Sequence, residues 1–149
     1  MIIWVDADAC PVPVKEVLFR AANRLKIDTV LVANQYLRTP ASQYISAIQV
    51  PGGFDVADDY IEEQVTAGDV VITQDIPLAA KIVELGAVGL NPRGTLYDKE
   101  SVRSHLARRD FMEEMRGAGM TTGGPDPLNQ QDIAAFANQL DRLLTRLLR

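Results

Sequence analysis

Short, wholly apolar runs separated by amphipathic stretches of helix length recur along this 149-residue chain, and few folds accommodate that rhythm. IIWV (2–5), TVLVAN (29–34), DVVIT (69–73) and AVGL (87–90) have strand length and little polar alternation, so they read as strands covered on both faces. Between the first two, Val14, Val17, Leu18, Ala21, Ala22 and Leu25 recur at helical spacing and predict a helix over 14–26. Pro11 and Pro13 suit its first turn. Residues 35–43 read as a loop, and YISAIQV (44–50) is a weaker strand candidate closed by Pro51-Gly52-Gly53. Helices are predicted over 55–68, ended by Gly68, and over 76–86, capped by Gly86. Strands alternating with helices require right-handed crossovers, and hence a mainly parallel sheet of four to five strands with helices on both faces. The fold class is α/β, in a single domain spanning 1–149, with a helical segment over about 98–149 packed on the sheet.

That last segment has its own pattern. Asp98 can cap a helix over 99–116, and GAGMTTGGPDPLN (117–129) is a Gly/Pro-rich connection. A final helix over 130–147 carries Ile133, Phe136, Ala137, Leu140, Leu143, Leu144, Leu147 and Leu148 on one stripe. The stripe reads as core packing, with a homodimer seam as the alternative.

Composition narrows the chemistry. One histidine and one cysteine, Cys10, exclude an internal disulfide and a zinc site of those ligands. A lone cysteine fits a cytoplasmic protein, and no apolar run is long enough for a membrane span. No secretory signal pattern opens the chain. A metal here would be held by oxygen, as Mg²⁺, Mn²⁺ or Ca²⁺ are. Residues 1–80 hold five Lys/Arg against eleven Asp/Glu, whereas 81–149 hold ten against nine. An acidic first half beside an arginine-rich second half suits a cation site with an anion-binding rim, or an ordinary solvated surface.

Ligands of parallel sheets collect beyond the carboxyl ends of the strands, and several acids fall there. Asp6 and Asp8 follow the first strand; if it continues extended, the period of two puts both carboxylates on one face. Asp75 follows DVVIT, where it could equally cap the next helix. Asp58 and Asp59 stand near the start of a helix, where the helix dipole alone would favour them. Carboxylates that converge repel one another unless a cation or protons compensate.

The segments IWVDADACPVPVKEVLFRAANR, VANQ, GFDVADDYI, GDVVITQDIPLA, GAVGLNPRGTLY, LARRDFMEEMR and TGGPDPLNQQDIAAFANQLDRLL together resemble the YaiI/YqxD family over nearly the whole chain. That family is of uncharacterised function and is placed near the PIN-like/NYN nuclease domains. More distantly, ADDYIEEQV followed by VVITQD resembles the acidic motifs of those nucleases. The resemblance implies a three-layer PIN-like domain that hydrolyses phosphodiesters, of RNA before DNA, with Mg²⁺ or Mn²⁺ and no nucleotide cofactor. It implies Asp6 as the first metal ligand, Asp58 or Asp59 as the second and Asp75 as the third, with Asp8 an extra ligand or the base that positions water. No further acid follows Asp75 closely; Glu84 stands near the far end of the next helix. A haloacid-dehalogenase-like phosphatase is the alternative, because IIWVDADAC also has a strand-DxD start and Thr73 and Lys81 could serve as its later motifs. Its acidic pair should then come after those residues, whereas Asp58 and Asp59 come before them. A non-catalytic module that binds metal or nucleic acid is the third class.

Arg93, in the turn Asn91-Pro92-Arg93-Gly94, is a candidate phosphate clamp. Arg103, Arg108, Arg109 and Arg116 share the following helix and could track a nucleic-acid backbone. Cys10 and His105 read as structural, and Thr121-Thr122-Gly123-Gly124-Pro125 as a connector or a phosphate-binding lid with no Walker-type lysine after it.

Overall fold

A computed structural model describes residues 1–53, 55–117 and 127–149. The Thr121–Pro125 segment and the side chain of Arg116 lie outside what is described. The elements run β1 (Ile2–Asp6), α1 (Val12–Leu25), β2 (Asp28–Ala33), β3 (Ile45–Gln49), α2 (Val56–Gln64), β4 (Val70–Ile72), α3 (Ile76–Glu84), β5 (Val88–Leu90), β6 (Leu96–Tyr97), α4 (Val102–Gly117) and α5 (Gln130–Leu147). The sheet has six strands in the order β3-β2-β1-β4-β5-β6, parallel except for the β5–β6 pair. This is the α/β, mainly parallel architecture expected, with one strand more. β6 is two residues long, too short to carry a periodicity, and pairs only because the Asn91–Gly94 turn folds the chain back. Gly94 makes that turn at φ +93°, and a Cβ there would stand 2.9 Å from the Ala135 backbone, so the tip lies directly against α5.

Strand order reverses direction between β1 and β4, which creates a crevice beyond their carboxyl ends. Alternation along β1 decides what faces which layer. Ile3 and Val5 enter one core with α1 and α5; Trp4 enters the other with α2, α3 and Val102 of α4. The apolar stripe of α5 is engaged within the chain, with Phe136, Leu140, Leu143 and Leu144 buried among α1 and the sheet. The capping box of α5 joins Asn129 and Asp132.

Arg93 belongs to this packing. Its Nη1 lies 2.6 Å from Asp132 Oδ2, the oxygen that also accepts from Asn129 N–H. Arg93, the candidate phosphate clamp, is placed here against the start of α5. Arg93→Ala should cost about 1–2 kcal/mol in urea denaturation, in line with a half-buried charged hydrogen bond.

Cys10 is buried and His105 is partly buried. Burial pushes the Cys10 thiol up to about 12, so it stays a small protonated apolar group. His105 packs edge-on against Tyr97 at 5.1 Å. Among the described residues no helix is long and apolar enough to cross a membrane.

Candidate functional site

The crevice is built from the ends of β1 and β4. Val5 pairs with Ile72, so the next residues, Asp6 and Thr73, stand side by side. By alternation both point to the face that carries Trp4 and Val71, towards α2 and α3. Thr73 Oγ1 donates to Asp6 Oδ2 at 3.1 Å and accepts from Asp75 N–H at 3.0 Å. One threonine thus links the acids that follow the two central strands. Asp75 caps α3, its Oδ1 accepting from Leu78 N–H at 2.9 Å. The capping role and a place in the site coexist, because the cap uses one oxygen and leaves the other.

α2 brings the remaining acids. Asp55 precedes it in the left-handed region, at φ +62°, with no side-chain cap bond of its own. One oxygen from each of Asp55, Asp58 and Asp75 lies within 4.8 Å of the other two. Spacing explains why Asp58 belongs here and Asp59 does not: positions three apart share a helix face, and the neighbour is turned about 100° away. Asp59 is exposed on the rim. Asp55 is not among the acids that the resemblance implies; the Asp55-x-x-Asp58 spacing is the signal that could have found it.

Asp6 is not one of the three converging acids. It is buried at the back of the crevice, and burial, then the charges of Asp75 and Asp8, push its carboxyl up against the hydrogen bond from Thr73. Asp58 is pushed up to about 7 by burial, a shared hydrogen bond with Asp75, and the charges of Asp6, Asp75 and Asp55. The crevice therefore holds more negative charge than it can keep ionised without compensation.

Asp8 departs from the expected geometry. β1 ends at Asp6, and a 3₁₀ turn over Ala7–Ala9 follows, leading into Pro11 and α1. The shared strand face never forms. Asp8 is exposed, and its Oδ2 accepts from Asn34 N–H at 2.9 Å, tying this turn to the end of β2. Asp6 and Asp8 are thus held by different partners, Thr73 and Asn34.

The converging acids line a cavity of about 160 Å³ with Asp59 and Glu62. Lys81 and Arg109 line it too. Arg109 is also held by Glu113 at 3.0 Å and Asp110 at 3.4 Å. Arg108 is exposed on the same helix but is not part of the cavity lining.

Known proteins agree on the family. The family model described as "Uncharacterized BCR, YaiI/YqxD family" matches residues 4–146. A "UPF0178 protein" of Dechloromonas aromatica is 58% identical over 147 residues, covering 99% of this chain and 98% of its own. Another from Hydrogenovibrio crunogenus is 58% identical over 149 residues, covering 100% and 99%. A third, from Janthinobacterium sp., is 59% identical over 146 residues, covering 98% and 97%. No solved structure matches the chain at a significant level. With a family model spanning nearly its full length and relatives at this identity, the chain belongs to the YaiI/YqxD family.

Proposed function

We propose that this protein is a Mg²⁺- or Mn²⁺-dependent nuclease that hydrolyses phosphodiesters, with single-stranded RNA the first substrate to test. The observation that carries the reading is the convergence of Asp55, Asp58 and Asp75 at the point where the strand order reverses. The donor set fits such an ion: oxygen alone, three carboxylates, with neither histidine nor thiolate among them. Asp55, Asp58 and Asp75 would hold the cation, replacing the Asp6-led set that the resemblance implied. Bound there, a divalent cation would neutralise charge on the phosphate and acidify a water for attack.

The chain's own groups have distinct tasks in this reading. Asp75 keeps one oxygen on the α3 cap, which fixes the direction of the other. Thr73 holds Asp6 behind the site and orders the start of the Asp75 loop at once. Asp6 then acts as a positioning residue whose charge raises the crevice's demand for a cation. Gln74 Nε2 donates to Ala9 O at 2.8 Å and closes the loop after β4 on the turn after β1. Asp8, held by Asn34, steadies that turn and takes no part in the chemistry.

The test is cleavage of labelled single-stranded RNA and DNA in Mn²⁺, with EDTA as control. Cleavage that appears with Mn²⁺, disappears with EDTA and disappears in Asp75→Asn supports the reading. Cleavage that persists in EDTA overturns it. Metal binding without cleavage of any nucleic acid would favour a binding module instead.

A further inference from the structure

The cavity is acidic, yet it contains two cations. Among the residues lining it, Asp55, Asp58, Asp59, Glu62 and Asp75 face Lys81 and Arg109, so formal negative charge exceeds positive by three. Lys81 rises from α3 four residues after Pro77, on the same helix face, which turns it over the cavity. Its ion pair with Glu62 is long, 3.6 Å, and its side chain is 57% exposed. Such a pair contributes little and yields easily to a better anion.

Size limits what that anion is. About 160 Å³ is well below the roughly 300–1,000 Å³ of pockets that enclose whole small ligands. A phosphate group fits with a cation; a sugar and base do not. An anion alone would meet the net negative charge and be repelled.

We propose that Lys81 and Arg109 form a phosphate subsite in this cavity, which fills only after a divalent cation has neutralised the carboxylates. Glu62 and Glu113 hold the two cationic side chains until then. The subsite recognises the phosphate and leaves the rest of the substrate outside, so recognition is independent of base identity. This rests on the cation-dependent reading given above.

Calorimetric titration of the full chain tests it, with Mg²⁺ alone, inorganic phosphate alone, and phosphate in saturating Mg²⁺. Phosphate should bind only with Mg²⁺ present, and phosphate should tighten Mg²⁺ by the same factor, as linkage demands. Lys81→Met should weaken phosphate about tenfold or more while Mg²⁺ binds as well or better. Lys81→Arg should keep most of the phosphate affinity, and Glu62→Gln should tighten phosphate by freeing Lys81. Normal Mg²⁺ binding with no phosphate binding, or with phosphate indifferent to Lys81→Met, overturns the subsite alone. Phosphate binding that needs no Mg²⁺ overturns the order of filling. No Mg²⁺ binding at all overturns the cation reading and the subsite together.

Discussion

At pH 8 and without metal, Asp58→Asn should melt higher than the parent protein, and Mg²⁺ should then add nothing to it. The Asp58 carboxyl is pushed up to about 7 by burial, its hydrogen bond with Asp75, and the charges of Asp6, Asp75 and Asp55. A carboxyl whose folded value lies above its unfolded one supports the fold below about pH 4 and loses that support as pH rises through 7. Above pH 7 the parent carries an ionised Asp58 among like charges, and the neutral amide does not. Because Asp58 is partly solvated, screening reduces the effect to about 1–2 kcal/mol. In the parent, Mg²⁺ should restore this loss and more, with a larger gain at pH 8 than at pH 5, because protons and cation compete for the same oxygens. Removing one oxygen ligand should abolish the gain, and RNA cleavage should fall by about a hundredfold or more. Thermal melts at pH 5 and pH 8, with and without Mg²⁺, separate the effects. A parent whose melting temperature ignores Mg²⁺ at pH 8 would remove Asp58 from the cation site.

Asp69→Ala should produce the opposite signature at the other end of the sheet. Asp69 is buried just before β4 and accepts from Ile2 N–H at 3.0 Å and Thr66 N–H at 2.9 Å. The Trp4 indole N–H and the Thr66 hydroxyl also donate to it, each at 3.1 Å. Burial alone would raise its carboxyl; the four donors outweigh that and hold it below its ordinary value. Its contribution is therefore present above about pH 4 and lost as pH falls through the lower folded value. Alanine leaves the buried indole N–H and the first strand's amide without an acceptor, at a cost of about 3 kcal/mol, or roughly 6–12 °C in melting temperature. Asp69→Asn should lose less and flatten the acid limb of the stability profile. The cation response should survive both changes, because Asp69 caps the amino end of the sheet and the acidic cavity lies beyond its carboxyl end. A loss of Mg²⁺ binding at constant fold in Asp69→Asn would contradict that separation.

Local pattern carried most of the architecture. The strands β1, β2, β4 and β5 are apolar on both faces, and a strand with that property has to lie inside a parallel sheet between helix layers. The α5 stripe announced its burial, and its boundaries, Gln130–Leu147, are those that the spacing predicts. β6 was invisible because it exists only through its partner. The shared face expected of Asp6 and Asp8 assumes an extended chain, whereas Pro11 at the N-cap of α1 and Pro13 in its first turn demand an early exit from the sheet.

The sequence by itself determined that acids would gather at the carboxyl edge, because short parallel strands ending in Asp6 and followed by Asp75 leave them nowhere else to go. It could not decide which acids would meet. Asp55 and Asp58 join Asp75 through the way α2 crosses the sheet beside α3; Asp59, one step further round the helix, reaches only the exposed rim of the cavity, and Asp8 is carried off by one 3₁₀ turn. Arg93 and Arg109 both read as candidate contacts for phosphate or a nucleic-acid backbone; packing sets Arg93 against Asp132 and brings Arg109 to the acidic cavity. Periodicity records which face of its own element a residue occupies; which faces of different elements confront each other is settled by layer packing over long sequence separations, and the candidate site consists of such confrontations.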